Sequence, residues 1–253
     1  MDGSDREGSE KRVDAIASPA TVEARATVGP VHVSIRHYYS PRLLWTAQHH
    51  AELAGELEEA LAGGTPFSIE HHGYVLSSII TSVAFLEAMI NELFQDAADD
   101  HAPADGYVAP LSEECRRTMA EVWAITRGGR ISALEKYDSL LRSARAPLLD
   151  RKSDTVKDAG AAIDLRNRLI HFRPEDRSVD DSHAMERIRG KFPDNTLIAG
   201  SGNAWWPDHA LGNGAAVWAH RSVKALADHV SDAVGIEPNY RRVEASGWFG
   251  ETA

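Results

Sequence analysis

Apolar residues in this chain recur at intervals of three and four, the spacing that gathers them on one face of a helix. The longest stripe covers residues 69–98 and carries Leu76, Ile79, Ile80, Val83, Leu86, Ile90 and Leu93. A helix over 41–62 is predicted from Leu43, Leu44, Ala47, Leu53, Leu57 and Leu61, with Gly63-Gly64 as its stop. Ser112, Glu113 and Glu114 start a third helix that ends before Gly128-Gly129. Further helices are expected over 132–145, 153–172 and 215–234, with a short one over 182–192. Residues 197–213 hold five Gly or Asn and read as a loop. Val31 to Ile35 alternates apolar and polar positions, as a short strand or extended arm does. Residues 1–30 lack periodicity and read as a disordered tail.

The pattern predicts an all-α fold, an antiparallel helical bundle with short connections. Its expected divisions are the tail (1–30), an arm and helix (31–65), the main helical domain (66–236) and an irregular C-terminal tail (237–253).

Composition refines this picture. The chain has 253 residues, 43% apolar and 26% charged, an ordinary globular balance. The lone Cys115 cannot form an intrachain bridge and fits a reducing compartment. Residues 1–11 lack the apolar core of a secretory signal, and no uninterrupted apolar run approaches the roughly 18 residues of a membrane span. A cytoplasmic protein without a membrane partner is expected. The net charge of −11 argues against non-specific duplex binding. Charge is uneven, however. Residues 84–114 hold eight acidic side chains and no Lys or Arg, whereas residues 142–191 hold twelve Lys or Arg against nine Asp or Glu. A local basic cleft for RNA therefore stays open.

The chemistry-bearing stretch is Asp164-Leu165-Arg166-Asn167-Arg168-Leu169-Ile170-His171-Phe172. At about 100° per residue, Arg166 falls in the middle of the apolar stripe of its helix. Asn167 and His171 share a neighbouring flank, with His171 about 140° from Arg166. A cation on a buried face needs an anionic partner, a ligand or another subunit. Glu87 interrupts the apolar face of the long helix, with Asn91 one turn later on the same side. Glu87 could neutralise Arg166 and fix helix packing, or orient His171.

The run RNRLIH resembles the signature of the HEPN (higher eukaryotes and prokaryotes nucleotide-binding) superfamily, an Arg and a His separated by four to six residues of which the first is polar. Other segments are similar to a bacterial HEPN-like subgroup. These are FLEAMINELF over 85–94, Ala133-Leu134-Glu135-Lys136-Tyr137 and the late Val217-Trp218-Ala219. The resemblance covers residues 69–234. It implies a small α-helical bundle that dimerises, bringing two Arg…His motifs into one cleft. It also implies metal-independent RNase activity of the kind found in toxin–antitoxin, antiviral and RNA-processing systems, in which a regulatory partner protein is expected. Arg166 and His171 would then be the catalytic pair and Asn167 would support them. The chemistry is coherent. Metal-free RNA cleavage needs a base, an acid and a cation for the phosphorane; His exchanges protons near neutrality and Arg stays charged. Arg168 and Arg173 lie close enough to contact phosphates, or are solvated surface residues. Some members of the superfamily only bind or assemble, so a non-catalytic dimerisation module is the competing expectation. A nucleotide sensor would require a base-shaped pocket.

Other motifs are weaker. His49-His50 and His71-His72 are adjacent pairs, a poor geometry for chelation, and neither H-E-x-x-H nor a Cys pair occurs. No metal or other cofactor is expected. Gly200-Ser201-Gly202 and Gly212-Asn213-Gly214 follow no predicted strand, so they are not phosphate loops. Trp205-Trp206-Pro207 either stacks bases or anchors its loop.

Overall fold

The computed structural model describes residues 36–64, 67–99, 106, 108–126, 131–174 and 185–246. The expected N-terminal tail and the strand or arm over 31–35 lie outside them. Among the described residues the fold is all-α, with no strand. The helices are α1 (Ser40–Ala60), α2 (Ile69–Ala98), α3 (Glu113–Thr126), α4 (Ala133–Ser143), α5 (Asp154–Ile170), α6 (Asn213–Val234) and α7 (Asn239–Ala245).

Helix α2 is central and packs against α1, α3, α4, α5 and α6. Its stripe behaves as the periodicity predicts over most of its length: Ile79, Val83, Leu86, Ile90 and Leu93 are fully buried. Leu76 and Ile80 are only partly covered. The most apolar 18-residue window of α2 has a mean hydropathy of 1.6, enough by length and composition to cross a membrane. Half of that window is buried inside the protein, as befits a core helix. Ser77, Ser78, Thr81 and Ser82 interrupt the apolar run of this helix. Ser78 spends its hydroxyl on the Ala47 carbonyl of α1 (2.7 Å) and Thr81 on that of Ser77 (2.6 Å), whereas the buried Ser82 hydroxyl has no partner among the described residues.

Four helices carry their own N-caps; that of α3 is Ser112, which accepts from the Cys115 amide at 3.2 Å. Ser68, Ser132 and Ser153 accept from the backbone of α2, α4 and α5, and Ser132 forms a capping box with Glu135. Helices α1 and α6 have no local side-chain cap. Distant carboxylates serve instead. Glu92 of α2 accepts from the amides of Tyr39 (2.6 Å) and Ser40 (2.9 Å) at the start of α1. Glu58 of α1 accepts from the amide of Asn213 (2.6 Å) at the start of α6, and from His71 (2.9 Å) and Thr196 (3.2 Å). Each carboxylate satisfies orphan helix donors and sits at the positive end of a helix dipole. The first turn of α6 also lies against the chain at Pro193. A Cβ on Gly214 would come within 2.4 Å of the Pro193 carbonyl oxygen.

Three stretches differ from expectation. Residues 185–190 form turns rather than helix. The loop over 197–213 contains a 3₁₀ turn at Thr196–Ile198 and a short helical turn at Trp205–His209. The C-terminal stretch expected to be irregular contains α7. Tyr240 anchors α7: it is fully buried, meets Phe85 edge-on and donates to Asp228 at 2.8 Å. Arg241 adds bonds to Asp228 (2.8 Å) and Asp232 (2.6 Å). Seven residues hold too little period to reveal a helix, and tertiary contacts hold this one in place. The buried core runs continuously from Tyr38 to Tyr240, so α1 and α7 share it with the helices between.

Candidate functional site

The RNRLIH run forms the end of α5. The buried side of that helix is Val156, Ala159, Ala162 and Leu165, all small or aliphatic, so α5 seats closely on its neighbours. Arg166 follows Leu165 and turns toward α2, where it donates to Glu87. The Arg166 side chain is 15% exposed and that of Glu87 is 42% exposed. The Nε of Arg166 is buried and has no hydrogen-bond partner among the described residues.

One turn along α2, Asn91 serves a different helix. Its Oδ1 accepts from Lys136 Nζ of α4 at 2.7 Å. Lys136 is buried, with its ammonium 5.4 Å from the Trp123 ring centroid. Burial lowers its pKa, opposed by the charge of Glu87. Next to it, Tyr137 is fully buried and donates to the Leu86 carbonyl at 3.0 Å. Burial pushes the Tyr137 phenol well above its ordinary value. The segments FLEAMINELF, ALEKY and RNRLIH, distant in sequence, thus meet along α2 at Leu86, Glu87 and Asn91.

The other motif residues lie elsewhere. Asn167 is exposed. His171 is the exposed C-cap of α5, its amide donating to the Asn167 carbonyl at 3.0 Å. Arg166 therefore faces the α2 seam, whereas His171 stands at the open end of the helix. Arg173 is exposed. Arg168 is half-buried, with its guanidinium 6.0 Å from the Trp206 ring centroid, so it is not simply a solvated residue.

Trp205 and Trp206 anchor their loop and are closed to bases, since both are buried. Trp205 donates to Asp194 at 2.8 Å and lies 4.8 Å from the Arg189 guanidinium. Among the described residues no group of three or more His, Cys, Asp or Glu is placed to hold a metal. His71 is buried against Glu58, and the His49 and His50 rings are tilted 6.2 Å apart. Cys115 is buried beside Met119, and burial raises its thiol pKa.

Sequence reasoning missed one feature. An apolar cleft of about 370 Å³ opens between α2 and the end of α5, lined by His72, Leu76, Ile80, Leu169, Ile170, Phe172, Pro207 and Leu211. Ile69, Ile170 and Phe172 are 76%, 47% and 54% exposed. The signal was present: Ile69, Leu76 and Ile80 share a face of α2, and two apolar residues bracket His171.

Comparison with protein-family models, curated proteins and solved structures found no match.

Proposed function

We propose that the chain is an antiparallel helical bundle of HEPN type that acts as a homodimeric, metal-independent endoribonuclease in bacterial defence or growth control. One observation carries this reading. The segments that bear the resemblance converge on α2 through Glu87–Arg166, Asn91–Lys136 and Leu86–Tyr137, and leave His171 exposed at the end of α5. A titratable imidazole open to solvent beside an apolar cleft suits proton transfer on a bound polymer.

In the proposed reaction, His171 of one copy takes the proton of the ribose 2′-hydroxyl. The 2′-oxygen attacks phosphorus and the P–O5′ bond breaks. The leaving 5′-oxygen takes a proton from His171 of the other copy. The Arg166 guanidinium offsets the charge of the phosphorane. The products carry 2′,3′-cyclic phosphate and 5′-hydroxyl ends.

A second reading is a non-catalytic dimerisation module. The Arg166–Glu87 ion pair favours it, because Glu87 already neutralises the cation that catalysis would use. The deciding experiment incubates wild type, Arg166→Ala and His171→Ala with mixed RNA in EDTA. The RNase reading expects cleavage by wild type alone, with cyclic phosphate ends. Intact RNA with wild type, or equal cleavage by His171→Ala, overturns it.

A further inference from the structure

The cleft beside His171 has the size and chemistry of a nucleotide site. Its volume of about 370 Å³ falls within the range of small-ligand pockets. Its walls are mainly aliphatic, and among the described residues His72 is the single lining side chain with polar atoms. Phe172 puts a half-exposed ring at the rim. Ile170 and Phe172 both line the cleft, so the backbone of His171 lies at its edge. Two arginines stand near the cleft without lining it. Arg168 lies over Trp206, whose neighbour Pro207 forms part of the wall, and Arg173 follows Phe172. A second recess of about 300 Å³ adjoins across His72 and offers Asn195, Ser201, Asn203 and Asp208. Apolar walls, a half-exposed aromatic ring and two arginines nearby complement a flat base joined to an anionic phosphate.

We propose that this cleft is a base subsite: it takes one unstacked nucleobase against Phe172, with the attached phosphate directed toward His171. The proposal rests on the reading of this end of α5 as RNA-facing. His72 supplies a hydrogen bond to the base edge. Burial and the neighbouring His71 lower its pKa, against the opposing charge of Asp208. Trp205 and Trp206 are buried and line neither recess, so they do not stack on the base.

The test titrates adenosine 3′-monophosphate, uridine 3′-monophosphate and inorganic phosphate separately into the full chain, read by calorimetry and ligand-detected NMR. Both nucleotides are expected to bind at least about tenfold more tightly than phosphate. Phe172→Ala should weaken the nucleotides about tenfold and leave phosphate unchanged. Leu76→Trp, which fills the cleft, should act in the same direction, and Ile125→Ala, an exposed position on α3, should do nothing. Circular dichroism checks that each variant folds. Nucleotides binding no better than phosphate, or unaffected by Phe172→Ala, overturn the proposal. So does a Phe172→Ala variant that changes only the monomer–dimer balance in sedimentation, since a second copy would then cover the cleft. Nucleotide binding by a protein that leaves RNA intact upholds the subsite and overturns the RNase reading alone.

Discussion

Arg166 of α5 and Glu87 of α2 form an ion pair across the interface of their helices, the arginine largely covered and the glutamate half open to solvent. The pair places a charge among aliphatic side chains without leaving it uncompensated. Solvent around Glu87 weakens the attraction, so the net gain is far below that of a dry pair.

Truncating Glu87 strands a part-buried guanidinium. Glu87→Ala is expected to destabilise the protein by about 1–3 kcal/mol, and the double variant with Arg166→Ala to recover part of that loss. Urea unfolding of the four-member cycle measures a coupling of about 1 kcal/mol. A coupling near zero would show that the pair contributes nothing to the fold.

Tyr137 holds α4 to α2 through a bond to a backbone carbonyl that the helix itself leaves a lone pair to accept. Tyr137→Phe keeps the ring and removes the hydroxyl. A loss of about 1 kcal/mol is expected in chemical denaturation. No loss would mean that the bond is as good with water in the unfolded chain.

Glu58 links α1, α2 and α6. Glu58→Ala removes the cap of α6 and leaves the buried His71 without its acceptor, a loss of about 2–4 kcal/mol. Burial raises the Glu58 pKa, but the bonds from His71 and Asn213 outweigh it and hold the value below the ordinary one. A carboxylate with a depressed folded pKa contributes stability above its unfolded pKa, about 4.3, and loses it as pH falls through the lower folded value. Wild-type stability should therefore drop in acid more steeply than that of Glu58→Gln, as thermal melts between pH 3 and 6 would show.

Asp96 has the opposite sign. Burial pushes its carboxyl up to about 6, against the opposing charge of Arg36 and the bond from Tyr38. A raised folded pKa favours the native state below the unfolded value, about 3.9, and that advantage disappears as pH rises through about 6. Asp96→Asn keeps an acceptor for Tyr38 and removes the titration. The variant should lose the stability decline that wild type shows between about pH 4 and pH 6. An unchanged pH profile would show that Arg36 keeps Asp96 ionised throughout.

Much of the site was legible in the sequence because helical periodicity constrains direction. Arg166 in phase with Ala159 and Ala162 has to turn inward, and Glu87 interrupting the face of α2 is a natural acceptor; the two meet. The same reasoning paired Glu87 with Asn91 on one side of α2, yet it could not tell that Asn91 serves Lys136 of α4. Spacing along one helix says which side a residue faces and nothing about which neighbour stands there.

The sequence by itself determined the six longer helices, α1 to α6, their phases and most of the core, because those follow from local propensity, stop signals and a 3.6-residue period. It also determined which end of α5 carries the titratable histidine. The tertiary structure alone decided what depends on residues far apart in the chain. Glu92 and Glu58 cap α1 and α6 across gaps that no local motif announces. Helix α7 exists through Tyr240 and Arg241 reaching Asp228. The cleft at His171 arises because Leu76 and Ile80 are only partly covered by the described helices. Capping, docking and concavity are properties of pairs of elements, and their energies are set only when the chain has brought those elements together.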